Sequence, residues 1–146
     1  MAATPGDVMR FSVLGPLQVI DADEHEPVAV PAARLRVLLA VLLWRANRPT
    51  PVDELAEMVW DGAPPPSTAV AARALVMRLR RTLGERAAAR IVTRAPGYLI
   101  ELSEDELDVC VFEALSRDAG ALARSGRWAQ AGHQAARWNL ADVHPR

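Results

Sequence analysis

Between Ser67 and Arg94 the sequence carries seven arginines, at positions 73, 78, 80, 81, 86, 90 and 94, against one acid, Glu85. Guanidinium groups at that density pair with phosphate oxygens and with the acceptor edge of guanine. The chemistry they offer is recognition of a polyanion, not the making or breaking of bonds. The excess is local, because 17 basic and 18 acidic side chains leave a formal net charge of −1 over the 146 residues. Every basic residue is Arg, which reads mainly as genomic base composition, although Arg is also the better residue for phosphate and base edges.

Side chains that could support catalysis are sparse. Cys110 is the single cysteine, which excludes an intramolecular disulfide and a multi-Cys zinc site, and His25, His133 and His144 lie far apart without ligand spacing. No nucleophile with its base and no glycine-rich phosphate cradle occurs. The expectation is therefore a protein that is not an enzyme, with no cofactor and no metal. Cys110 borders an apolar helical stripe and reads as a packing residue.

A chain of 146 residues has room for one full domain, or for one domain and a fragment of a second. With 51% hydrophobic and 24% charged residues it has the balance of a globular protein. The N-terminal residues lack the apolar stretch of a secretory leader, and the longest apolar run, Val37 to Trp44, is too short to span a bilayer. A cytoplasmic protein with no membrane partner is expected.

The elements that would position the arginines follow from periodicity. Met9 to Leu14 alternates apolar and polar residues, Leu17 to Ile20 resumes after Gly15-Pro16, and Val28 to Val30 reads as a third strand that stops at Pro31. Leu35, Leu38, Leu39, Leu42 and Leu43 form one face of a helix over Ala32 to Ala46, opened by that proline. Thr50-Pro51-Val52-Asp53 supplies a cap, a first-turn proline and a carboxylate for a second helix, with Leu55, Met58 and Val59 inward. After the prolines at 64–66, Ser67 or Thr68 caps a third helix that ends at Gly84.

On that third helix Ala72, Leu75, Val76, Leu79 and Leu83 share one face at about 100° per residue. Arg73, Met77, Arg80 and Arg81 cluster opposite. Arg90 to Leu102, with a turn at Ala95-Pro96-Gly97, reads as a hairpin with Arg94 at its tip. Trp44 and Trp60 each follow an apolar stripe and are expected to pack in the core or at a helix edge.

Past Leu102 the balance turns acidic. Ser103 to Glu106 reads as a short acidic linker, Val109, Phe112, Leu115, Ala119 and Leu122 as one helical stripe, and Trp128, Ala131, Ala135 and Trp138 as a second. The expected domains are 9–102 and 103–146. The large apolar groups of the second unit exceed what two helices cover, which favours self-association.

Strands, three helices and a hairpin come in the order of a winged helix-turn-helix of the response-regulator type. The chain resembles the Streptomyces antibiotic regulatory protein family of transcription activators. The resemblance is carried by Arg10-Phe11-Ser12-Val13-Leu14-Gly15-Pro16-Leu17, by Val52-Asp53-Glu54-Leu55 through Val59-Trp60, by Arg78-Leu79-Arg80-Arg81-Thr82-Leu83-Gly84, and by Ile91 through Tyr98. Asp105-Glu106-Leu107-Asp108 with Phe112-Glu113 resembles the entry to the family's activation domain of tetratricopeptide-like hairpins. The family tends to have Gln, an aromatic residue or His, and Ser where this chain has Arg73, Leu75 and Met77.

The resemblance implies an α+β fold, with a small N-terminal antiparallel sheet, three helices and a C-terminal wing hairpin, followed by an α-helical tetratricopeptide-like hairpin. It implies an activator-type regulator that puts a recognition helix in the major groove and a wing in the adjacent groove. Double-stranded DNA, RNA polymerase and further copies of the chain on direct repeats are the partners it implies. The candidate DNA-contacting residues are Thr68, Arg73, Met77, Arg78, Arg80 and Arg81 on the helix, with Thr93 and Arg94 on the hairpin. The competing reading is a truncated helical protein-interaction module or remnant with vestigial DNA affinity.

Overall fold

Alternation opens the chain: β1 (Met9–Ser12) buries Met9 and Phe11, β2 (Gln18–Asp21) buries Val19 and Asp21, and the two pair antiparallel with Phe11 opposite Val19. The structure, a computed structural model, describes residues 8–125. The expected strand at Val28 to Val30 is not formed. Only an isolated bridge joins Ile20 to Pro27, and the Val28 N–H donates to the Val19 carbonyl at 2.8 Å. Prolines at 27 and 31 lack the N–H groups that a continued ladder would need.

The first helix, α1 (Ala33–Trp44), buries the five expected leucines. Pro31 lies outside it, one residue before the cap Ala32, and the cap is made without a side-chain hydrogen bond. Trp44 does not pack in the core: it is 76% exposed. At 100° per residue it falls roughly opposite the leucine face, together with Val37, so following a stripe in sequence did not place it on that stripe.

Thr50 and Pro51 form a two-residue strand, β3 (Thr50–Pro51); Thr50 does not cap the next helix as expected, and Pro51 takes the cap position without a side-chain hydrogen bond. Thr50 pairs with Tyr98 and Pro51 with Gly97, and the Thr50 side chain is buried with no hydrogen-bond partner for its Oγ1. Helix α2 (Val52–Val59) follows, with Asp53 and Glu54 in its first turn, where carboxylates favour the helix dipole. Its buried residues are Leu55, Ala56 and Val59, whereas Met58 is exposed. Trp60 is half-buried against the core and carries the Arg34 guanidinium 5.5 Å from its ring centroid.

Helix α3 (Thr68–Leu83) buries the expected five residues, Ala72, Leu75, Val76, Leu79 and Leu83. Gly84 ends it at φ +81°, a left-handed conformation that glycine adopts without a Cβ penalty. A one-turn helix not expected from the sequence, α4 (Glu85–Ala88), follows directly and buries Ala87.

The hairpin consists of β4 (Ile91–Arg94) and β5 (Gly97–Ile100), with Arg94 opposite Gly97 and a cis peptide between Ala95 and Pro96. Gly97 therefore belongs to the strand and not to the turn. A Cβ there would lie 1.8 Å from the Thr50 carbonyl oxygen, so the second sheet, ordered β3-β5-β4, requires glycine at this position. Asn47 fastens α1 to the same sheet: its side chain exchanges two 2.9 Å hydrogen bonds with the Leu102 backbone.

Ser103 to Glu106 does not project outward as a free linker. Glu106 and Leu107 are buried, the Phe11 N–H donates to the Glu106 carbonyl at 2.7 Å, and Leu107 bridges Phe11. Helix α5 (Asp108–Arg124) then begins with its first carboxylate accepting from the Val13 and Leu14 N–H groups at 3.0 Å. Val109 packs on the core, but Phe112 of the same expected stripe is exposed. The second stripe, Trp128 to Trp138, lies outside the described residues. The fold is mixed α+β, with two small antiparallel sheets and helices between and after them.

Candidate nucleic-acid interface

Burial of one face of α3 dictates what the other presents. Arg73 and Arg81 are exposed, Met77 is 45% exposed between them, and Val70 lies further toward the start of the helix on the same outward side. Arg78 is exposed on one flank. Among the described residues Arg73, Arg78 and Arg81 have no side-chain hydrogen bond or ion pair. Three guanidinium groups are thus available to an external anion.

Arg80 occupies the other flank and differs from them. It is half-buried and donates from Nη2 to the Ile91 carbonyl at 2.8 Å and to Thr93 Oγ1 at 3.3 Å. One guanidinium therefore ties the hairpin to α3, so helix and hairpin share one side of the molecule. Arg94 is exposed near the hairpin turn, with Glu101, just past the neighbouring strand, 3.3 Å away. Both partners of that pair are more than half exposed, where solvent screens the attraction, so Arg94 can exchange its carboxylate for another anion.

Two of the seven arginines are engaged inside the fold. Arg86 reaches both Asp21 carboxylate oxygens at 2.6 and 2.8 Å and Asp23 at 2.8 Å. Arg90 grips the buried Glu106 with bonds of 2.7 and 3.0 Å. Their acids come from the end of β2 and the turn after it and from the segment before α5, all outside the 67–94 window, so the local sum of charge overstates what the surface carries. Thr68 is likewise committed, its hydroxyl donating to the Pro65 carbonyl at 2.8 Å.

The sequence thus points to eight candidates, of which Arg73, Met77, Arg78 and Arg81 form an open face, Arg80 and Thr93 join the hairpin to it, Arg94 stands near the hairpin turn, and Thr68 braces the preceding loop. Sequence reasoning missed Arg34, which stands over Trp60 beside the Arg78 flank. Its only signal was its place as one of two arginines, with Arg36, in the first turn of an apolar helix. Cys110 is half-buried against the core, and its thiol pKa is pushed up by burial and by the nearby Glu113, Glu104 and Asp108 carboxylates. A neutral thiol of this sort packs and does not attack. Among the described residues no cluster of His, Cys, Asp and Glu could hold a metal ion, and no helix is long and apolar enough to cross a membrane.

The chain is 33% identical over 133 residues to the transcriptional regulatory protein EmbR of Mycobacterium tuberculosis, a match covering 89% of this chain and 34% of EmbR. It is 29% identical over 122 residues to the transcriptional regulator RedD of Streptomyces coelicolor, covering 80% of this chain and 34% of RedD. The match to MoaR1 of Mycobacterium tuberculosis is also 29%, over 105 residues, 70% of this chain and 33% of that protein. The solved structure of Mycobacterium tuberculosis EmbR in complex with a low-affinity phosphopeptide superposes with a TM-score of 0.77 at 28% identity, over 89% of this chain and 35% of that one.

These relatives are transcriptional regulators of the Streptomyces antibiotic regulatory protein family, and it is to them that the chain is similar. No protein-family model matches it. The relatives in this family are transcriptional regulators and not enzymes. The chain spans about a third of the length of the curated relatives it matches.

Proposed function

We propose that the chain is a DNA-binding transcriptional regulator of the activator type, in which residues 9–102 act as a winged helix-turn-helix. In this reading α3 enters the major groove, with Arg73 and Met77 toward base edges and Arg78 and Arg81 on phosphates, while β4–β5 serves as the wing that carries Thr93 and Arg94 to the adjacent groove. The observation that carries it is the Arg80 bridge from α3 to the Ile91 carbonyl, which sets an unpaired basic face and an arginine-bearing hairpin on one side. A helix about 10–12 Å across fits the major groove of B-form DNA.

Residues 103–146 are assigned to the start of a tetratricopeptide-like helical unit, and RNA polymerase and neighbouring copies on direct repeats are the proposed partners of the regulator as a whole. A regulator of this kind works in the cytoplasm, where bacterial DNA is. The test is binding of the full chain to short duplexes at two salt concentrations. Affinity that falls steeply with salt supports phosphate contacts, because each neutralised phosphate steepens the slope of log affinity against log salt by about 0.9. No binding at low salt would sink the proposal.

A second reading, a protein-interaction module with vestigial DNA affinity, draws on the exposure of Trp44 on the outer face of α1. It expects weak duplex binding that does not respond to removal of Arg73 and Arg81.

A further inference from the structure

Two residues apart on α3, Arg78 and Arg80 lie about 200° apart around the helix and so mark opposite flanks. The Arg80 flank is filled by the hairpin. The Arg78 flank is an open groove of about 430 Å³, whose far wall is the cap and first turn of α1, including Arg34. Ala71 and Ala74 line it on the α3 side, and Trp60 also faces it. Leu35 and Leu75 form its apolar floor, and the two arginines and the indole are its polar or amphipathic groups.

Its charge is unbalanced. Arg34 and Arg78 are both exposed, and among the described residues no acidic side chain lines the groove. The groove beside the hairpin differs, since there Arg90 and Arg94 are accompanied by Glu101. Arg34 is also positioned: its guanidinium carbon lies over the Trp60 ring, 5.5 Å from the centroid, within cation–π range. The N–H donors lie in the guanidinium plane and stay available at its edge, an arrangement that suits an oxyanion. Holding the side chain over the ring reduces the rotamer freedom that binding would otherwise remove.

We infer that the Arg34–Trp60–Arg78 groove is a phosphate-contact site for the DNA backbone, with Arg34 and Arg78 as the contacting residues and Trp60 as the residue that positions Arg34. The inference rests on the DNA-binding reading above and deepens it. With the hairpin on one flank of α3 and this groove on the other, the protein grips backbone on both sides of the major groove that α3 enters. A phosphodiester is the occupant chosen because the groove adjoins the helix that carries the unpaired arginines, and because two cations without a carboxylate need an anion.

The experiment is a salt titration of the full chain on a short labelled duplex of mixed sequence, comparing wild type, Arg34→Ala, Arg34→Lys and Arg81→Ala. Arg34→Ala is expected to weaken binding about ten-fold at low salt and to make the slope shallower by roughly 0.9. Arg34→Lys keeps the charge and loses the planar fork of donors, so the slope should hold while affinity drops by about three-fold. Both are exposed substitutions, and unchanged thermal unfolding shows that neither acts through stability. Arg34→Ala with wild-type affinity and slope, while Arg81→Ala is weakened, overturns the groove and leaves the DNA-binding reading standing. That same pattern is expected if the groove receives an acidic protein segment instead. If Arg34→Ala and Arg81→Ala both bind as wild type does, the DNA-binding reading itself falls.

Discussion

The arginines of α3 and those of the segment after it are alike in sequence and opposite in use. Arg73, Arg78 and Arg81 have no side-chain partner among the described residues, whereas Arg86 holds Asp21 and Asp23 and Arg90 holds Glu106. The first set leaves its charge to a partner. The second uses it to close the domain, joining α4 to β2 and the hairpin to the start of α5. A basic run is therefore not one surface, because the acids that neutralise part of it arrive from distant points in the chain. Arg80 stands between the sets, since its bond to the hairpin orders the surface that the first set completes.

The largest effect expected from this contrast is at Arg90. Its partner Glu106 has a side chain only 2% exposed, so Arg90→Ala strands a carboxylate inside the fold and should cost about 3–5 kcal/mol in chemical denaturation. A cost below about 1 kcal/mol would return Arg90 to the surface set. Arg86→Ala is expected to cost less, about 2 kcal/mol, because Asp21 is buried but Asp23 and Arg86 itself reach solvent.

The open set should behave in reverse. Arg73→Ala combined with Arg81→Ala is expected to leave the unfolding free energy within about 0.5 kcal/mol of wild type, as exposed substitutions do. On the proposed function the same variant binds duplex DNA more weakly, and the salt slope flattens by roughly 0.9 for every phosphate the variant no longer neutralises. A large drop in stability would erase the distinction between the two sets. Met77→Ser sharpens it further. Met can pack on a thymine methyl but offers no strong hydrogen bond, so the exchange should shift base preference by about 1–3 kcal/mol at one position in a binding-site selection. An unchanged selected motif would remove Met77 from base reading.

The smallest effect is expected at the surface pair of Arg45 and Glu54. The hydrogen bond from Arg45 holds the Glu54 carboxyl below its ordinary range, with their mutual attraction adding to it and desolvation opposing it. A lowered folded-state pKa contributes stability that is present above the ordinary glutamate value and is lost as pH falls through the lowered one. Both groups reach solvent, so Glu54→Gln should remove only a slight acid-side slope in the unfolding midpoint.

Where one helix face is enough to decide the outcome, the sequence was legible. The five leucines of α1 and the five buried residues of α3 follow from helical period alone, because burial of an apolar stripe is a local consequence of 3.6 residues per turn. Alternation likewise points to β1 and β2, and the acid-free stretch of α3 points to the candidate face with Arg73, Met77 and Arg81. Period also tells against Trp44 in the core, since its angle on α1 lies away from the leucine face even though its neighbours in the chain are apolar.

Only the tertiary structure decided the rest. That Thr50 is a strand residue and not a cap, that Gly97 must lack a Cβ, and that Glu106 is an interior partner and not part of a linker all depend on segments distant in the chain. The same holds for which arginines remain open and for the meeting of Arg34 with Trp60 and the Arg78 flank. A side chain's periodicity is fixed by its own element, so one sequence determines it; its electrostatic partner is fixed by where other elements pack, and charge acts through space and not along the chain.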